Sequence, residues 1–64
     1  MRKAIALNDD HAPWFFKGEE YEVKKTYRDK NIDGEDVEFN IVVGSLDVEF
    51  EIEEGCPFLK IIDI

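Results

Sequence analysis

The sequence holds one cysteine and one histidine, which excludes several kinds of site. Cys56 has no second cysteine with which to form an intramolecular disulfide, and together with His11 it cannot supply a cysteine and histidine cage for zinc. His11 stands beside Asp9 and Asp10, but no nucleophile or oxyanion-binding group can be recognised to accompany it. We therefore expect no enzymatic activity, no cofactor and no metal centre.

Long apolar runs are also missing. The first run, Ala4 to Leu7, ends after four residues at Asn8, which is too short for the core of a signal peptide or for a membrane span. We expect a cytoplasmic protein without a membrane partner. With 64 residues, the chain can form one domain, residues 1–64, near the lower size limit for a single hydrophobic core.

Lysine and arginine are absent from the long segment between residues 31 and 59, although the chain has eight basic residues elsewhere and a net charge of −8. This segment carries nine acidic residues: Asp33, Glu35, Asp36, Glu38, Asp47, Glu49, Glu51, Glu53 and Glu54. Such a segment repels phosphate and attracts a basic surface. We therefore expect a protein partner with a basic surface and no direct binding of nucleic acid.

No helical periodicity of useful length is present, whereas two-residue alternation recurs along the chain between Gly, Pro, Asn and Asp clusters. This pattern predicts an all-β protein of five strands. The expected strands cover about residues 2–8, 19–27, 37–43, 46–53 and 58–64. A loop holding Trp14, Phe15 and Phe16 separates the first two strands.

The clearest predicted element is a hairpin formed by residues 37–43 and 46–53. If Gly44 and Ser45 form a two-residue type II′ loop, Val43 faces Leu46 and the alternating apolar residues of both strands share one face. The opposite face then carries an acidic surface in which Glu38 lies across from Glu51. The predicted partner-contacting carboxylates are Asp36, Glu38, Asp47, Glu49, Glu51 and Glu53.

The stretch from Phe16 to Val23, FKGEEYEV, together with the closing FLKII at residues 58–62, resembles small SH3-like β-barrel proteins common in bacteriophage genomes. Gly18, Tyr21 and Val23 match the recurrent pattern of these proteins, whereas Glu19 replaces their usual lysine. The resemblance implies a five-stranded SH3-like barrel, in which the glycine permits a tight turn and the tyrosine and valine face the core. It also implies a phage protein acting in a bacterial cytoplasm.

Three functions follow as hypotheses. The first is a phage accessory, host-takeover or counter-defence protein whose acidic face occupies a basic, nucleic-acid-binding surface of a bacterial protein, as a nucleic-acid mimic would. The second is an interaction or oligomerisation module that uses Trp14 and Phe15 as anchors. Each has a simpler alternative, because acidic faces are often only solvated and aromatic runs often only complete a small core.

The third hypothesis is a small calcium-binding domain. Asp29, Asn31 and Asp33 precede Gly34 with the spacing that opens an EF-hand loop. The twelfth position of such a loop would be Asn40, where a bidentate glutamate is required. A tight turn rich in Asn, Asp and Gly therefore accounts for this segment more simply.

Overall fold

The computed structural model describes every residue from Met1 to Ile64 and is all-β, as predicted. Its elements in chain order are β1 Arg2–Ala6, β2 Glu20–Lys30, β3 Asp36–Val43, a 3₁₀ turn Ser45–Asp47, β4 Glu49–Glu53 and β5 Leu59–Asp63. The chain has no helix that is both long and apolar enough to cross a membrane.

The five strands form a single antiparallel sheet in the order β4-β3-β2-β1-β5. Consecutive strands pair with one another from β1 to β4, and β5 returns to pair with β1. Strands β4 and β5 are the two edges of the sheet and are not paired with each other. The predicted number of strands is therefore confirmed, while the sheet is not closed into a barrel.

One face of the sheet, called here the inner face, carries the hydrophobic core. All five strands contribute, and the loop between β1 and β2 adds the ring of Phe15. The buried apolar residues are Ala4, Ala6, Phe15, Tyr21, Val42, Ile52 and Leu59. The two small alanines of β1 leave space above the sheet, and the Phe15 ring lies 5.0 Å from the Tyr21 ring and 5.2 Å from the Phe50 ring.

Strand β2 begins as the motif implies and then changes face. Gly18 has φ 81°, a conformation that favours glycine, and Tyr21 and Val23 lie on the inner face opposite Ala4 and Val42. A β-bulge between Val23 and Lys25 shifts the register. Strict alternation from Tyr21 and Val23 predicts that Tyr27 lies on the inner face, but one extra residue reverses the alternation, so Tyr27 lies on the outer face.

The predicted register of the β3–β4 hairpin is wrong by three residues. Val43 pairs with Glu49 instead of Leu46, and Ile41 pairs with Glu51. The connection is five residues long, with Leu46 and Asp47 in the left-handed region at φ 68° and 58°. An odd shift reverses the faces, so the expected single apolar face does not exist: Phe50 and Ile52 of β4 face inward with Val42, while Ile41 and Val43 face outward.

The predicted type II′ turn would require glycine at position 44 for its backbone conformation, whereas the structure requires glycine there for close packing. Its φ is −81°, so the type II′ turn is absent. A Cβ at this position would lie 2.9 Å from the carbonyl oxygen of Trp14 and 3.3 Å from the Phe15 ring. Gly44 thus allows the aromatic loop to pack against the end of β3 and fill the core.

Candidate functional site

The outer face of β3 carries a row of half-buried apolar side chains that no second layer of structure covers. We call this set the apolar row, and it consists of Val37, Phe39, Ile41 and Val43. In the free chain these residues are neither fully buried nor fully exposed. An apolar strip with a polar rim is a common property of protein interaction surfaces.

Beside the apolar row, β4 presents three carboxylates on the same face, at every second residue. We call Glu49, Glu51 and Glu53 the acidic row. Strands β2 and β4 flank β3 and are therefore roughly 10 Å apart, a distance that long side chains can span. Lys24 Nζ lies 2.9 Å from Glu49 Oε2.

Two further side chains of β2 and the turn that follows it reach the acidic row across β3. Asn31 Nδ2 donates a 2.9 Å hydrogen bond to Glu53 Oε1, and the Tyr27 hydroxyl donates to Glu51. Each carboxylate of the acidic row is therefore held by one donor from the other side of the apolar row. These bridges fix the carboxylates and cover part of the apolar row.

The donors differ in charge, which determines how much negative charge the acidic row retains. Lys24 neutralises Glu49, and the hydrogen bond and charge of Glu49 raise the pKa of Lys24. Tyr27 and Asn31 are neutral donors, so Glu51 and Glu53 are oriented without a compensating cation. The hydrogen bond to Glu51, reinforced by desolvation and by the negative charge of the carboxylate, raises the pKa of Tyr27 to about 12.

Glu38 does not belong to this surface, contrary to the prediction from the hairpin register. It lies on the inner face of β3, where Arg2 Nη1 donates to its Oε2 at 2.7 Å and Arg2 Nε bonds Asp63 at 2.9 Å. The hydrogen bond from Arg2 is the largest cause of a lowered pKa of Glu38; desolvation opposes it, whereas the charge of Arg2, a hydrogen bond from the Asn40 side chain and the charge of Arg28 lower the pKa further. The expected repulsion between Glu38 and Glu51 is therefore absent.

The remaining predicted acids are also separated from the acidic row. Asp36 begins β3, is exposed and lies 3.8 Å from Arg28. The predicted register, in which Val43 faces Leu46, would place Asp36 across from Glu53, but Glu53 pairs with Phe39. Asp47 lies in the 3₁₀ turn at the end of the hairpin. Of the six predicted carboxylates, the structure brings Glu49, Glu51 and Glu53 together.

The aromatic loop divides between core and surface. Phe15 is only 2% exposed, so it does not fit the predicted role of a partner contact, whereas Trp14 is 38% exposed. The carbonyl oxygen of Trp14 accepts a 2.7 Å hydrogen bond from the Ser45 amide, which attaches the loop to the β3–β4 turn. Leu46 in that turn is 71% exposed. Trp14 and Leu46 thus form part of an exposed apolar end of the molecule.

The turn between β2 and β3 uses its polar groups to hold its own backbone. Asn31 Oδ1 accepts hydrogen bonds from the amides of Asp33 and Glu35, both at 2.9 Å. Asp29 Oδ1 accepts from the Lys30 amide. Nowhere in the chain do three or more His, Cys, Asp or Glu side chains form a group that could hold a metal ion.

A cavity of about 330 Å³ opens between the two edges of the sheet, and it is called here the seam cavity. Its walls come from the inner face of β3, the end of β4 and the following turn, and β5. The lining residues are Leu7, Glu38, Asn40, Glu53, Glu54, Gly55, Cys56, Leu59, Lys60 and Ile61. The sequence did not mark this site, because its residues come from four separate parts of the chain.

Asn40 is the residue of the seam cavity that hydrophobic patterning failed to identify. It is 1% exposed, and its Oδ1 accepts from Thr26 Oγ1 at 2.7 Å and from Arg2 Nη1 at 3.3 Å. Its Nδ2 makes no hydrogen bond of regular geometry, and the acceptor beside it is the Glu38 carboxylate, whose pKa the Asn40 side chain helps to lower through hydrogen bonding.

Comparisons with protein-family models, with curated protein sequences and with solved structures returned no significant match. The fold and its surfaces therefore define the chain only as a small antiparallel all-β protein. Its two notable features are an oriented acidic row beside an apolar row on the outer face, and the seam cavity on the inner face.

Proposed function

We propose that this chain is a non-enzymatic binding protein whose outer face, formed by the apolar row and the acidic row, docks on a partner protein. The observation that carries the proposal is the set of bridges from β2 across β3 to Glu49, Glu51 and Glu53. Carboxylates that are already oriented lose less conformational entropy on binding than free side chains do. The carboxylates of the acidic row are thus already oriented before a partner binds.

The chemistry of the surface defines the complementary partner. The donors to Glu51 and Glu53 are neutral, so these hydrogen bonds bring no cation to either carboxylate, and the whole chain carries a net charge of −8. The apolar row supplies the area that is removed from water on binding. The partner surface therefore has an apolar strip with lysine or arginine beside it, and nucleic acid is disfavoured because its phosphates are repelled.

The fold that we propose is an SH3-like barrel that is partly open between β4 and β5. The left-handed Gly18 and the inward-facing Tyr21 and Val23 support it, since these are the structural roles that the resemblance implies. By the same resemblance, we propose a phage origin and a bacterial host protein as partner. An inhibitor that covers a nucleic-acid-binding surface is the narrowest form of this proposal.

Charge reversal on the acidic row tests the proposal. The double variant Glu51→Lys and Glu53→Lys should abolish capture of basic partners from bacterial lysate, and capture by the unmodified chain should weaken steeply with salt. The matched control reverses two exposed acids outside the site, Asp10→Lys and Glu19→Lys, giving the same change in net charge. Equal loss in both double variants would reject a specific docking face.

A second candidate surface is the exposed apolar end near the β3–β4 turn. Trp14, Leu46 and Val48 are 38%, 71% and 39% exposed, and the Trp14 ring lies 6.2 Å from the ring of Phe50, which packs against the core. Trp14→Ala distinguishes this surface from the outer face. If it abolishes capture while Glu51→Lys with Glu53→Lys does not, the aromatic end is the docking surface, and copies of the chain itself become candidate partners.

A further inference from the structure

We propose that the open edge of β4 receives an extended segment of a partner protein as a sixth strand of the sheet, and that this segment alternates basic and aliphatic residues. The inference rests on the proposed function, because it names the part of the partner that meets the acidic row. When a peptide adds to an exposed sheet edge, main-chain hydrogen bonds give affinity and alternate side chains give specificity. The edge of β4 provides for both.

The main chain of β4 leaves every second residue without a backbone partner. The Gly44 amide donates to the Val48 carbonyl at 2.9 Å, in the same register as the β3–β4 ladder. Bonded and non-bonded pairs alternate along an antiparallel ladder. Phe50 and Ile52 therefore exchange backbone hydrogen bonds with β3, whereas the N–H and C=O groups of the acidic row point away from β3 at the edge of the sheet.

These free backbone groups belong to exposed residues, which distinguishes the β4 edge from the β5 edge. Glu49, Glu51 and Glu53 are all exposed, so a second strand can reach their donors and acceptors. Leu59, the first residue of β5, also directs its backbone away from its partner strand β1, but it is only 3% exposed. The fold itself thus covers the beginning of the β5 edge and leaves the β4 edge open.

The acidic row determines which side chains suit the outer face of an added strand. Antiparallel pairing is slightly more stable per residue than parallel pairing, and it places three alternate residues of the segment directly opposite Glu49, Glu51 and Glu53. Opposite charges in such cross-strand pairs attract and like charges repel, so lysine or arginine fits these positions. Lys24 already binds Glu49, whereas Glu51 and Glu53 have only neutral donors. The preference for a basic residue is therefore strongest opposite Glu51 and Glu53.

A cavity of about 360 Å³, called here the edge cavity, lies along the same edge and determines the inward side chains. Its lining residues are Glu51, Ile52, Glu53, Glu54, Gly55, Cys56, Pro57 and Phe58. Because Glu51 and Ile52 point to opposite faces of β4, the cavity runs along the edge. Inward residues of the segment enter it beside Ile52 and Phe58, which favours valine or another aliphatic residue. The lining holds three carboxylates and no lysine or arginine, so an acidic residue is repelled there.

Two peptides of identical composition test this on the unmodified chain: acetyl-Lys-Val-Lys-Val-Lys-amide and acetyl-Lys-Lys-Lys-Val-Val-amide. Both carry three positive charges, but only the first alternates. In ¹⁵N-resolved NMR, the alternating peptide should shift the amide resonances of β4 saturably. It should bind at least about tenfold more tightly than the other peptide, which is the effect of roughly one net hydrogen bond. Equal affinities, or no saturable shift, would overturn the proposal.

Hydrogen exchange shows whether the backbone of β4 takes part in binding. In the free chain, the amides of Glu49, Glu51 and Glu53 should exchange fast and those of Phe50 and Ile52 slowly. The alternating peptide at about ten times its Kd should slow the three glutamate amides roughly tenfold, because protection follows the bound fraction. Phe50 and Ile52 are the internal controls. Binding without protection of the glutamate amides would overturn strand addition and leave a docking face that uses side chains alone.

Methylation of single peptide nitrogens locates the hydrogen bonds. A methyl group on the nitrogen of the central lysine removes the donor that faces Glu51 and should abolish binding. A methyl group on the nitrogen of the following valine points away from β4 and should leave the affinity within about threefold, because only alternate residues bond across an antiparallel ladder. The reverse order of effects would overturn the antiparallel pairing.

This proposal and the proposed function can fail separately. Glu51→Lys with Glu53→Lys should abolish peptide binding, and the control with Asp10→Lys and Glu19→Lys should retain it. Capture of partners from lysate without protection of β4 by the alternating peptide would overturn the added strand and leave the proposed function standing. Protection without capture would support the strand site and contradict the proposed function. Protection that rises with protein concentration in the absence of peptide would assign the edge to a second copy and overturn the proposal.

Discussion

On β3, the face with polar residues points towards the core, and the face with more apolar residues points away from it. Its inner face offers Val42, Asn40 and Glu38 to the core, while its outer face carries the four members of the apolar row. The core on the inner face needs a side chain from outside the sheet: Phe15 from the β1–β2 loop fills the space that β3 leaves empty. The face that is richer in apolar residues is thereby left uncovered by the rest of the fold.

The elements next to β3, rather than the alternation within β3 itself, determine which of its faces is buried. The bulge in β2 and the five-residue connection to β4 each reverse a predicted face. Both changes leave Phe39 and Ile41 outside, with Glu51 and Glu53 on the same side. The polar residues of β3 then have to be satisfied inside, by Arg2 and Thr26.

The two faces should differ most in how much stability is lost when an aromatic ring is removed from each, and Phe15 is the ring of the inner face. Phe15→Ala should lower the free energy of unfolding by about 3–5 kcal/mol, because it opens a cavity at the centre of the inner face. Phe39→Ala removes a ring of the same size from the outer face and should cost about 1 kcal/mol, since that ring is half-buried. Urea unfolding measures both. A larger loss at Phe39 would show that the outer face is the true core.

Gly44 gives the next largest effect and separates close packing from turn geometry. Gly44→Ala should cost about 2 kcal/mol, because the new Cβ collides with the Trp14 carbonyl. Gly34→Ala, with open space but φ 79°, should cost about 1 kcal/mol through its backbone alone. Unfolding curves of both variants test this.

Synthetic chains with D-alanine at position 34 or position 44 test whether glycine is needed there for its backbone conformation or for close packing. D-alanine favours positive φ, so it should stabilise the protein at position 34 and destabilise it at position 44, where φ is −81°. Stabilisation by D-alanine at position 44 would mean that this position adopts positive φ, as a type II′ turn requires. That result would support the hairpin register that the sequence predicts.

The parts of the fold that local pattern controls were predictable, and the parts that depend on distant packing were not. Strand number follows from alternation, and the tight turn at Gly18 is what the resemblance to SH3-like barrels implies; both depend on residues within a short stretch of the chain. The face of Tyr27 depended on a bulge, for which Lys25 in an otherwise apolar row was the visible sign. The register of β4 depended on the approach of Trp14 to Gly44, thirty positions away in sequence, and no local pattern encodes it.

The candidate site was predictable to the same extent. Glu49, Glu51 and Glu53 share a face under any register, because their spacing of two fixes it. Whether Glu38 joins them depends on the register, so it was assigned to the wrong face. The seam cavity could not be foreseen, since Asn40 looks like any polar residue in an alternating strand until Arg2 and Thr26 are found around it.

Acid unfolding tests the polar contacts of the inner face and should have a smaller effect. The folded-state pKa of Glu38 lies below its ordinary value of 4.5, chiefly because of the Arg2 hydrogen bond. Its contribution to stability is therefore complete above about pH 4.5 and is lost as the pH falls through the lowered pKa. Glu38→Gln should flatten the decline of stability in that range.

The double-mutant cycle of Glu38→Gln with Arg2→Met is the control for the acid experiment. The two substitutions should be less than additive near pH 7 and become additive below the folded-state pKa, where the pair no longer exists as ions. Additivity at every pH would show that Arg2 does not hold Glu38 and would contradict the ion pair on the inner face.

The smallest effect concerns the outer face at high pH and tests whether β2 really holds the acidic row. The pKa of Tyr27 is raised from 10.0 to about 12, first by its hydrogen bond to Glu51, so the bridge should stabilise the fold fully below pH 10 and be lost as the pH rises towards 12. Phenolate absorbance near 295 nm should show one late titration step that is absent in Tyr27→Phe and moves back towards 10 in Glu51→Gln. Glu19→Gln, the matched loss of one charge, should leave it in place. A Tyr27 that titrates near 10 in the unmodified protein would mean that Tyr27 does not hold Glu51, and it would remove the orientation of the acidic row on which the proposed docking rests.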